Sequence, residues 1–475
     1  MFSNLKHCCL ALVLCVSALT TVVAQQPSLS PEDIKNLVPV GLVKNIYGIS
    51  HSGEFAVVAL QSGAGGFNGV LVRFPSLETV LELPNSTRAY FIEEDRFLWQ
   101  SSIQTQSTRV YQLPDVVEIG RFPLNIQKLT PRRYGDGFLY LQGSNIVHQP
   151  SDFTQPARVI GAVPRDFNPV FNTFVEVPDG QHVIAAGDTR TFMYNIETGE
   201  RQDVLPYPVI QEVVLTDDGR RALVQSSSLY VHDFATNRPI FERYGVSGII
   251  RRDGRYVASL QIATYVPNAG ILRVHDLDTG EEIFMARDVL EGSLDFIDDR
   301  LLYMTKTPDR WQGKINIFVP ETRELIQTGI VSYGVQRGTH QSGERFVALW
   351  ANYDSYTETD VIDIETGELL RTFAGTIIRP LHDPTQIIFG DLIYGLPNGS
   401  VPPLPTVTGN TRGRYVNVRT SPSSSSRAMR SISGDVTAVA RSQDGRWLFI
   451  AEVQGWVSAD VIALSGDVNS LIVSR

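Results

Sequence analysis

Two related hairpins carry the residues whose type and spacing could bind a metal ion. Asp276 and Asp278 lie in the turn of VHDLDTGE, and Asp363 and Glu365 lie in the turn of IDIETGE. Paired carboxylates can bind Ca²⁺, but calcium takes six or more oxygen ligands and each hairpin offers fewer. A third copy, YNIETGE, has Asn195 at the first acidic position. The pattern therefore favours side chains that cap a turn over a metal site.

Histidines are the other residues that could bind a metal or transfer a proton. Seven of them follow residue 24: His51, His148, His182, His232, His275, His340 and His382. His232 and His275 occupy the same position in successive repeats, each directly before an aspartate. A shared metal would require histidines from different repeats to converge. We therefore expect no metal ligand, no cofactor and no catalytic residue.

Motifs of the common enzyme classes are absent from the sequence. It contains no G-x-S-x-G, H-E-x-x-H or C-x-x-C motif, and Gly313-Lys314 is followed by Ile315, not by the hydroxyl residue of a P-loop. The glycine-rich segment Gly63–Asn68 precedes a strand-like run, whereas a phosphate-binding loop precedes a helix. We interpret it as a surface loop between two strands.

The carboxylate hairpins belong to a repeat that runs through most of the chain. A turn of Asp-Gly or Ser-Gly type precedes a β-rich run at glycines 53, 137, 180, 219, 254 and 343. The intervals are 84, 43, 39, 35 and 89 residues, so the first and the last span two units. A period near ~40 with about four short strands per unit is typical of a β-propeller. In period and turn pattern, residues 40–396 resemble WD40-like and quinoprotein-like propellers.

The number of blades depends on how the ends of the repeat region combine. Eight complete units lie between Ile46 and Gly375, and Thr376–Leu396 forms an incomplete ninth. A strand within Val38–Lys44 could complete a blade built from that last repeat and so close the ring. Because rings normally contain about four to eight blades, we expect eight, with seven as the alternative.

The first 24 residues predict export. Lys6 precedes the apolar run Cys8–Ala24, and Val22-Val23-Ala24 fits a small-residue cleavage site. The alternative is an uncleaved anchor helix, but the run is short for a membrane span. All three cysteines, at positions 8, 9 and 15, lie in this segment, so the mature chain would have no disulfide. We predict an extracellular, cell-surface or periplasmic protein without a membrane span in its mature chain.

The charge changes sign beyond a proline-rich linker, Asn398–Thr406. Residues 407–475 contain eight arginines, no lysine and five acidic residues, a net charge of +3, whereas the whole chain has −10. A basic module on an acidic ring could dock on that ring or bind an anionic polymer, although such a patch is commonly just a solvated surface. The acidic balance of the whole chain argues against nucleic acid as the main partner.

The residues beyond the linker resemble bacterial SH3-like (SH3b) domains. The family opens on L-N-V-R-S-G-P-S, and Tyr415–Pro422 reads YVNVRTSP. Gly434-Asp435 before a strand, Trp447, and Gly455-Trp456-Val457 follow in the family's order. Val416 replaces the usual Leu and Ser421 the usual Gly, which could reshape that loop. The resemblance implies a small β-barrel that binds cell-wall peptides, peptidoglycan or protein segments.

The resemblance also implies candidate ligand-binding residues, which are Tyr415, Arg419, Trp447 and Trp456. Tyr415 and Trp456 could instead pack in the core, because a domain this small depends on its aromatic side chains for buried area. Arg419 could pair with a ligand carboxylate or brace the loop after its strand.

Together these patterns predict an all-β protein: a β-propeller of eight blades, with seven as the alternative, followed by a small SH3-like β-barrel. The expected divisions are a signal peptide at 1–24, a lead-in at 25–37, the propeller at 38–397, the linker at 398–406, the SH3b-like domain at 407–464 and a tail at 465–475.

The favoured function is an exported, non-catalytic binding or scaffold protein of the cell envelope. Its propeller would bind a protein partner through the rim loops Ser62–Asn68, Thr264–Gly270 and Tyr353–Thr359, because rigid strands display them. Its SH3b-like module would bind cell-wall peptide or peptidoglycan. The alternative is a propeller enzyme, lactonase-like or a quinone-dependent dehydrogenase, that uses the central channel.

Overall fold

A computed structural model describes residues 29–474 with short gaps. The gaps are residues 44, 51, 64–65, 75, 93–96, 103–106, 124–125, 133, 164–173, 187–190, 208–209, 211, 245, 263–268, 308–311, 334–344, 353–356, 376, 381–382 and 384. The predicted signal peptide therefore lies outside the described residues. Among those described, no helix has the length and apolar character needed to cross a membrane.

The described residues begin with a short helix and then form antiparallel strands in successive groups, named blades 1 to 9 here. Helix α1 (Pro31–Asn36) is followed by β1 (Val38–Leu42). Blade 1 contains β2 (Ile46–Ile49), β3 (Phe55–Gly63), β4 (Gly66–Arg73) and the first half of β5 (Glu78–Ile92); blade 2 contains the second half of β5, β6 (Phe97–Ser102), β7 (Ser107–Gln112) and β8 (Val117–Pro123). Blade 3 contains β9 (Ile126–Pro131), β10 (Phe138–Gln142), β11 (Asn145–Gln149) and β12 (Arg158–Ala162).

The next three blades have the same up-and-down order. Blade 4 contains β13 (Phe174–Glu176), β14 (His182–Ala186), β15 (Thr191–Asn195) and β16 (Arg201–Val204); blade 5 contains β17 (Glu212–Leu215), β18 (Arg221–Gln225), β19 (Ser228–Asp233) and β20 (Arg238–Tyr244). Blade 6 contains β21 (Ser247–Ile250), β22 (Tyr256–Ile262), β23 (Ala269–Asp276) and β24 (Glu282–Leu290).

The last three blades include the point where the chain ends meet. Blade 7 contains β25 (Asp295–Ile297), β26 (Arg300–Lys306), β27 (Gln312–Val319) and β28 (Glu324–Tyr333); blade 8 contains β29 (Phe346–Asn352), β30 (Thr357–Asp363) and β31 (Leu369–Ala374). Blade 9 contains β32 (Ile377–Pro380), β33 (Gln386–Phe389) and β34 (Leu392–Gly395), and its outermost strand is β1.

Apolar seams between neighbouring blades close these sheets into a ring. In the described chain, nine hydrophobic clusters join the blades in order, and one of them joins blade 9 back to blade 1. Successive residues of a strand point to opposite faces, so Ala56 packs towards blade 9 and Val57 towards blade 2. Because both faces of these strands are covered, the second strands read as continuous apolar runs. The protein is therefore a β-propeller.

The predicted count of eight blades is corrected to nine by the described strands. The eight units between Ile46 and Gly375 all form sheets, and the segment after Thr376 does not merge with them; it pairs with β1 to make a further blade. The usual upper limit of ring size led to the lower number, but each seam here has apolar residues on both sides. The first strand expected for blade 8 would fall among residues 334–344, outside the described residues.

The pairing of β1 with β34 joins the two ends of the propeller. Val38 lies opposite Gly395 and Leu42 opposite Leu392, in antiparallel register. Val40 packs with Ile388 and Ile393 in the seam to blade 1. This closing strand, which the sequence placed within Val38–Lys44, leaves no open first or last blade.

Residues 407–473 form a separate sheet, called the C-terminal module here. Its strands are β35 (Val407–Asn410), β36 (Val416–Arg419), β37 (Ala428–Ile432), β38 (Asp435–Arg441), β39 (Trp447–Ile450), β40 (Gly455–Ser458), β41 (Ala463–Leu464) and β42 (Ile472–Val473), with 3-10 helices at Ala459–Val461 and Val468–Ser470. The sheet order is β37-β36-β40-β39-β38-β35-β41, and β42 pairs in parallel with β38. Val418, Leu448 and Val457 lie at the centre of its own apolar core.

The closing strand should be sensitive to a buried charge. Val40→Asp places a carboxylate among Ile388 and Ile393, so we expect the free energy of unfolding to fall by about 3 kcal/mol or more. The matched control is Val159→Asp on β12, where the side chain is 59% exposed and the expected change is within about 0.5 kcal/mol. Urea unfolding of both variants measures the difference, and equal effects would argue against a buried β1.

Candidate binding surface

The strands of the propeller end on two opposite faces of the ring. The turns between first and second strands and between third and fourth strands lie at one end, called the turn face here. The remaining connections lie at the opposite end, called the loop face. This assignment follows from the antiparallel order of each blade.

The carboxylates considered for calcium lie on the turn face and are bonded to the protein itself. Asp276 accepts hydrogen bonds from the amides of Asp278 (2.9 Å) and Thr279 (3.3 Å), and from Arg255 Nη2 (3.0 Å). Burial alone would raise the pKa of Asp276, but these hydrogen bonds outweigh it and hold the pKa below its ordinary value. Asn195 accepts the equivalent two amide bonds in blade 4. The shared role is turn capping.

Arginines at the start of the second strands pair with these turn residues, in a pattern that repeats around the ring. The pairs are Arg220–Asp233 (3.4 Å), Arg255–Asp276 (3.0 Å) and Arg345–Asp363 (3.0 Å). Ion pairs also cross between blades, as in Arg221–Asp278 (2.8 Å) and Arg323–Glu281 (2.7 Å). The first three pairs therefore lie within blades 5, 6 and 8, and the last two link neighbouring blades.

The histidines do not form a cluster in the part of the chain that the structure describes. His232 and His275 lie in different seams, and His182 lies at the start of β14 beside Asp179. His51, His340 and His382 lie outside the described residues. Among the described residues, which exclude the gaps given above, no group of three or more His, Cys, Asp or Glu side chains could hold a metal ion.

The three predicted rim loops all belong to the loop face. Each joins the second and third strands of its blade, in blades 1, 6 and 8 respectively. Residues 64–65, 264–268 and 353–356 of these loops lie outside the described residues. Beside the first loop, Asn68 accepts a hydrogen bond from the amide of Asn85 (2.7 Å), and Leu60 is 66% exposed.

The four candidate residues of the C-terminal module do not share one exposed surface. Tyr415 is 82% exposed, whereas Trp456 is 2% exposed. Arg419 lies opposite Trp456 in the register, and its guanidinium donates to the carbonyl of Ser426, which braces the following loop. Trp447 is partly buried against the same apolar cluster as Trp456. In this arrangement Trp456 packs in a core, and Tyr415 is accessible to a ligand.

Trp456 is buried because the C-terminal module is docked on blades 8 and 9. Its ring packs edge-on against Phe449 (centroids 5.4 Å apart), and both join a cluster with Phe373 and Phe389 of the propeller. Arg430 forms an ion pair with Glu358 of blade 8 (2.8 Å). In the sequence, intramolecular docking was suggested only by the opposite net charges of the module and the ring. In the structure, the contact is built on a shared apolar cluster.

Gln454 fixes the docked module to the propeller backbone. Its Nε2 donates to the carbonyls of Ala374 (2.8 Å) and Phe389 (2.7 Å), and its Oε1 accepts from the amide of Asp391 (2.7 Å). The side chain thus links the outer strand of blade 8 to a turn of blade 9. A β-carbon at Gly390 would collide with Gln454 Oε1, so glycine there allows the close approach. The role of Gln454 was not predicted from the sequence, where Gly375 and Gly390 are the residues that could have indicated a close approach at this point.

The chain is similar to known proteins at the level of solved structures. Neither a protein-family model nor a curated protein matches the chain. Similar structures include dihydro-heme d1 dehydrogenase NirN in complex with DHE (TM-score 0.45, 15% identity, 74% of this chain and 81% of that chain) and a eukaryotic initiation factor (TM-score 0.49, 14% identity, 69% and 87%). The Myceliophteria thermophila Cps50 (Swd1) beta-propeller domain has a TM-score of 0.32 and 15% identity, over 61% and 97% of the two chains. All three scores lie below 0.5, so the fold assignment rests on the strand order and packing given above.

The turn-capping role of the hairpin carboxylates can be tested by truncation. Asp276→Ala removes the acceptor of two turn amides and of Arg255, so we expect the free energy of unfolding to fall by roughly 1–3 kcal/mol. Asp278→Ala in the same turn removes only a half-exposed ion pair with Arg221 and should change it by less than about 1 kcal/mol. Thermal unfolding with and without added Ca²⁺ measures both. A calcium-dependent rise in midpoint that Asp276→Ala abolishes would contradict this role.

The docking role of Gln454 can be tested in the same way. Gln454→Ala leaves the Asp391 amide and two carbonyls without their partner, so we expect a loss of about 2–4 kcal/mol in unfolding free energy. We also expect faster proteolysis of the linker at residues 398–406. Gln443→Ala, at an exposed turn of the same module, is the control and should behave as the wild type. Unchanged stability and cleavage in Gln454→Ala would exclude the contact.

Proposed function

We propose that this protein is an exported, non-catalytic scaffold. Its propeller binds a protein partner on the loop face, and its C-terminal module attaches it to a carboxylate-bearing ligand, either a cell-wall peptide, peptidoglycan or a protein segment. The apolar run at the N-terminus supports export. The resemblance of Tyr415–Val457 to SH3b domains supports the ligand class of the module.

The observation that carries this proposal is an exposed basic and aromatic turn on a docked module. Arg412, Arg414 and Tyr415 are exposed side chains within one short segment, whereas Trp456 is buried. Arginine binds carboxylates through paired N–H donors, and an exposed tyrosine offers a flat apolar face with a polar tip. Such a turn suits a peptide or polymer that carries carboxylates.

Charge distribution supports the same assignment. The module has a net charge of +3, and the rest of the chain from residue 25 has −14. The acidic ring repels an anionic polymer, so the polymer is directed to the module. Binding of this kind weakens as salt screens the arginines.

The test uses point variants because removal of the whole module would uncover Phe373 and Phe389. A double variant, Arg414→Ala with Tyr415→Ala, should retain the fold and lower the fraction bound to purified peptidoglycan at least tenfold. Truncating one central aromatic or arginine of an interface costs about 1–3 kcal/mol, which accounts for that change. Co-sedimentation of the full chain with peptidoglycan measures it.

The matched control is Arg446→Ala, which removes the same charge from an exposed turn elsewhere on the module. Its side chain is 81% exposed and only 3.9 Å from Asp444 at its nearest approach. We expect its binding to equal that of the wild type. If the double variant binds as well as the wild type, this turn is not the binding site. If the double variant and Arg446→Ala lose binding equally, the net charge of the module accounts for binding and the assignment of this turn is wrong.

A further inference from the structure

Three buried histidines lie in three consecutive seams of the propeller. In the strand registers His148 is opposite Leu139, His232 is opposite Ala222 and His275 is opposite Val257. Residues directly opposite share a face, and these partners pack in the seams between blades 3 and 4, 4 and 5, and 5 and 6. The three imidazoles are therefore spaced one per seam along one arc of the ring.

His232 lies in an aromatic environment between blades 4 and 5. Its Nδ1 is 2.9 Å from the hydroxyl of Tyr207, and Phe234 packs edge-on against the ring. Asn237 and Asp233 also face it, but the Asp233 carboxylate already accepts from the Thr236 amide (3.0 Å) and pairs with Arg220. Burial lowers the pKa of His232, and the nearby carboxylate does not compensate.

His275 is held in its neutral form by an arginine of the preceding blade. Arg243 Nη2 lies 2.8 Å from Nε2, so this ring nitrogen is the acceptor. Nδ1 is buried without a hydrogen-bond partner among the described residues. Burial lowers the pKa of His275, Arg243 and Arg273 lower it further, and Glu282, 3.4 Å from Nε2, opposes them. Protonation at Nε2 would break the bond from Arg243 and set two cations side by side.

His148 faces cations in the seam between blades 3 and 4. Its Nε2 donates to the carbonyl of Asp136 (3.0 Å). Burial lowers the pKa of His148, the hydrogen bond to the Asp136 carbonyl opposes this, and Arg132 and Arg158 lower the pKa further. The Asp136 carboxylate accepts a hydrogen bond from the Ser151 amide. Glu197 of blade 4 favours the charged form of His148, but its side chain is exposed to solvent. The neutral imidazole is therefore the form that fits each of the three seams.

We propose that blades 3 to 6 form an acid-responsive arc, in which protonation of His148, His232 and His275 loosens three adjoining seams together. Each blade contacts only its neighbours, so loosening is confined to this arc. The seam between blades 8 and 9, which Gln454 links to the C-terminal module, stays closed. A partner bound across the loop face of the arc is then released as the pH falls. The release of a loop-face partner rests on the function proposed above, whereas the loosening of the three seams does not.

The direction of the pH effect follows from which state binds the proton first. The unfolded or opened chain has ordinary histidines with pKa near 6.5, whereas the three packed imidazoles have lower pKa values. Opening is therefore linked to proton uptake, and the seams retain their full stability above pH ~6.5. Below that pH the opening equilibrium rises about tenfold per unit for each histidine released, until the folded pKa is reached.

Hydrogen exchange of the full chain at pH 7.5 and 5.5 tests the proposal, with each rate divided by its intrinsic rate. We expect protection of amides in residues 138–290 to fall at least tenfold at pH 5.5. Protection in blade 9 and in the C-terminal module should change less than twofold. A uniform loss around the ring, or no loss in residues 138–290, would overturn the proposal.

A neutral triple variant links the effect to the histidines. The side-chain amide of Asn lies where imidazole Nδ1 would lie, and the side-chain amide of Gln lies where Nε2 would lie. The variant therefore combines three substitutions, His148→Gln, His232→Asn and His275→Gln. It should keep the protection of residues 138–290 at both pH values. The control His182→Asn replaces a partly exposed histidine bonded to Asp179 (2.6 Å) and should lose protection as the wild type does. If the triple variant is acid-sensitive like the wild type, the proposal is wrong; if it fails to fold, the wild-type exchange pattern still decides.

Discussion

The rest of the propeller depends on the pairing of β1 with β34. A strand near the N-terminus completes the blade built from the last repeat, so the first and last blades become neighbours. Without that pairing the ring would have two open sheet edges and an uncovered apolar face on each side of the gap. With it, Val40 and Ile388 fill the seam to blade 1 in the same way as residues fill the other seams. Closure therefore turns a row of marginal units into one cooperative structure.

The repeated parts of this structure were predictable from sequence because each repeat has the same kind of turn residues and the same pattern of apolar residues. For the unit around Gly254, the apolar runs and turn residues predict strands at 246–251, 255–261, 271–275 and 282–286. The structure has Ser247–Ile250, Tyr256–Ile262, Ala269–Asp276 and Glu282–Leu290. Apolar alternation and turn residues suffice for this, since both are set by neighbours in the chain. The closing strand could also be placed, because one strand was missing from the last repeat.

Contacts that occur only once in the structure could not be predicted from the sequence. Gln454 reaches the carbonyls of Ala374 and Phe389, which lie 80 and 65 residues away along the chain. A glutamine in a turn carries no sign of such a partner. The same docking decides that Trp456 packs in a core while Tyr415 stays exposed, a choice that the sequence left open. The number of blades was not predicted correctly for a related reason. It depends on the seam geometry around the whole ring, which accommodates nine blades where eight were expected.

Closure of the ring by β1 can be measured directly. A β-carbon built on Gly41 lies 3.3 Å from the β-carbon of Ile393, near the separation of about 3.5–4.5 Å that a disulfide spans. The natural cysteines are at 8, 9 and 15, so a chain that begins at Gln25 contains none. We predict that the double variant Gly41→Cys with Ile393→Cys forms an intramolecular disulfide on mild oxidation of the folded protein, seen as a loss of two mass units and of maleimide reactivity. Two freely reactive thiols in the folded protein would contradict a ring closed by its N-terminal strand.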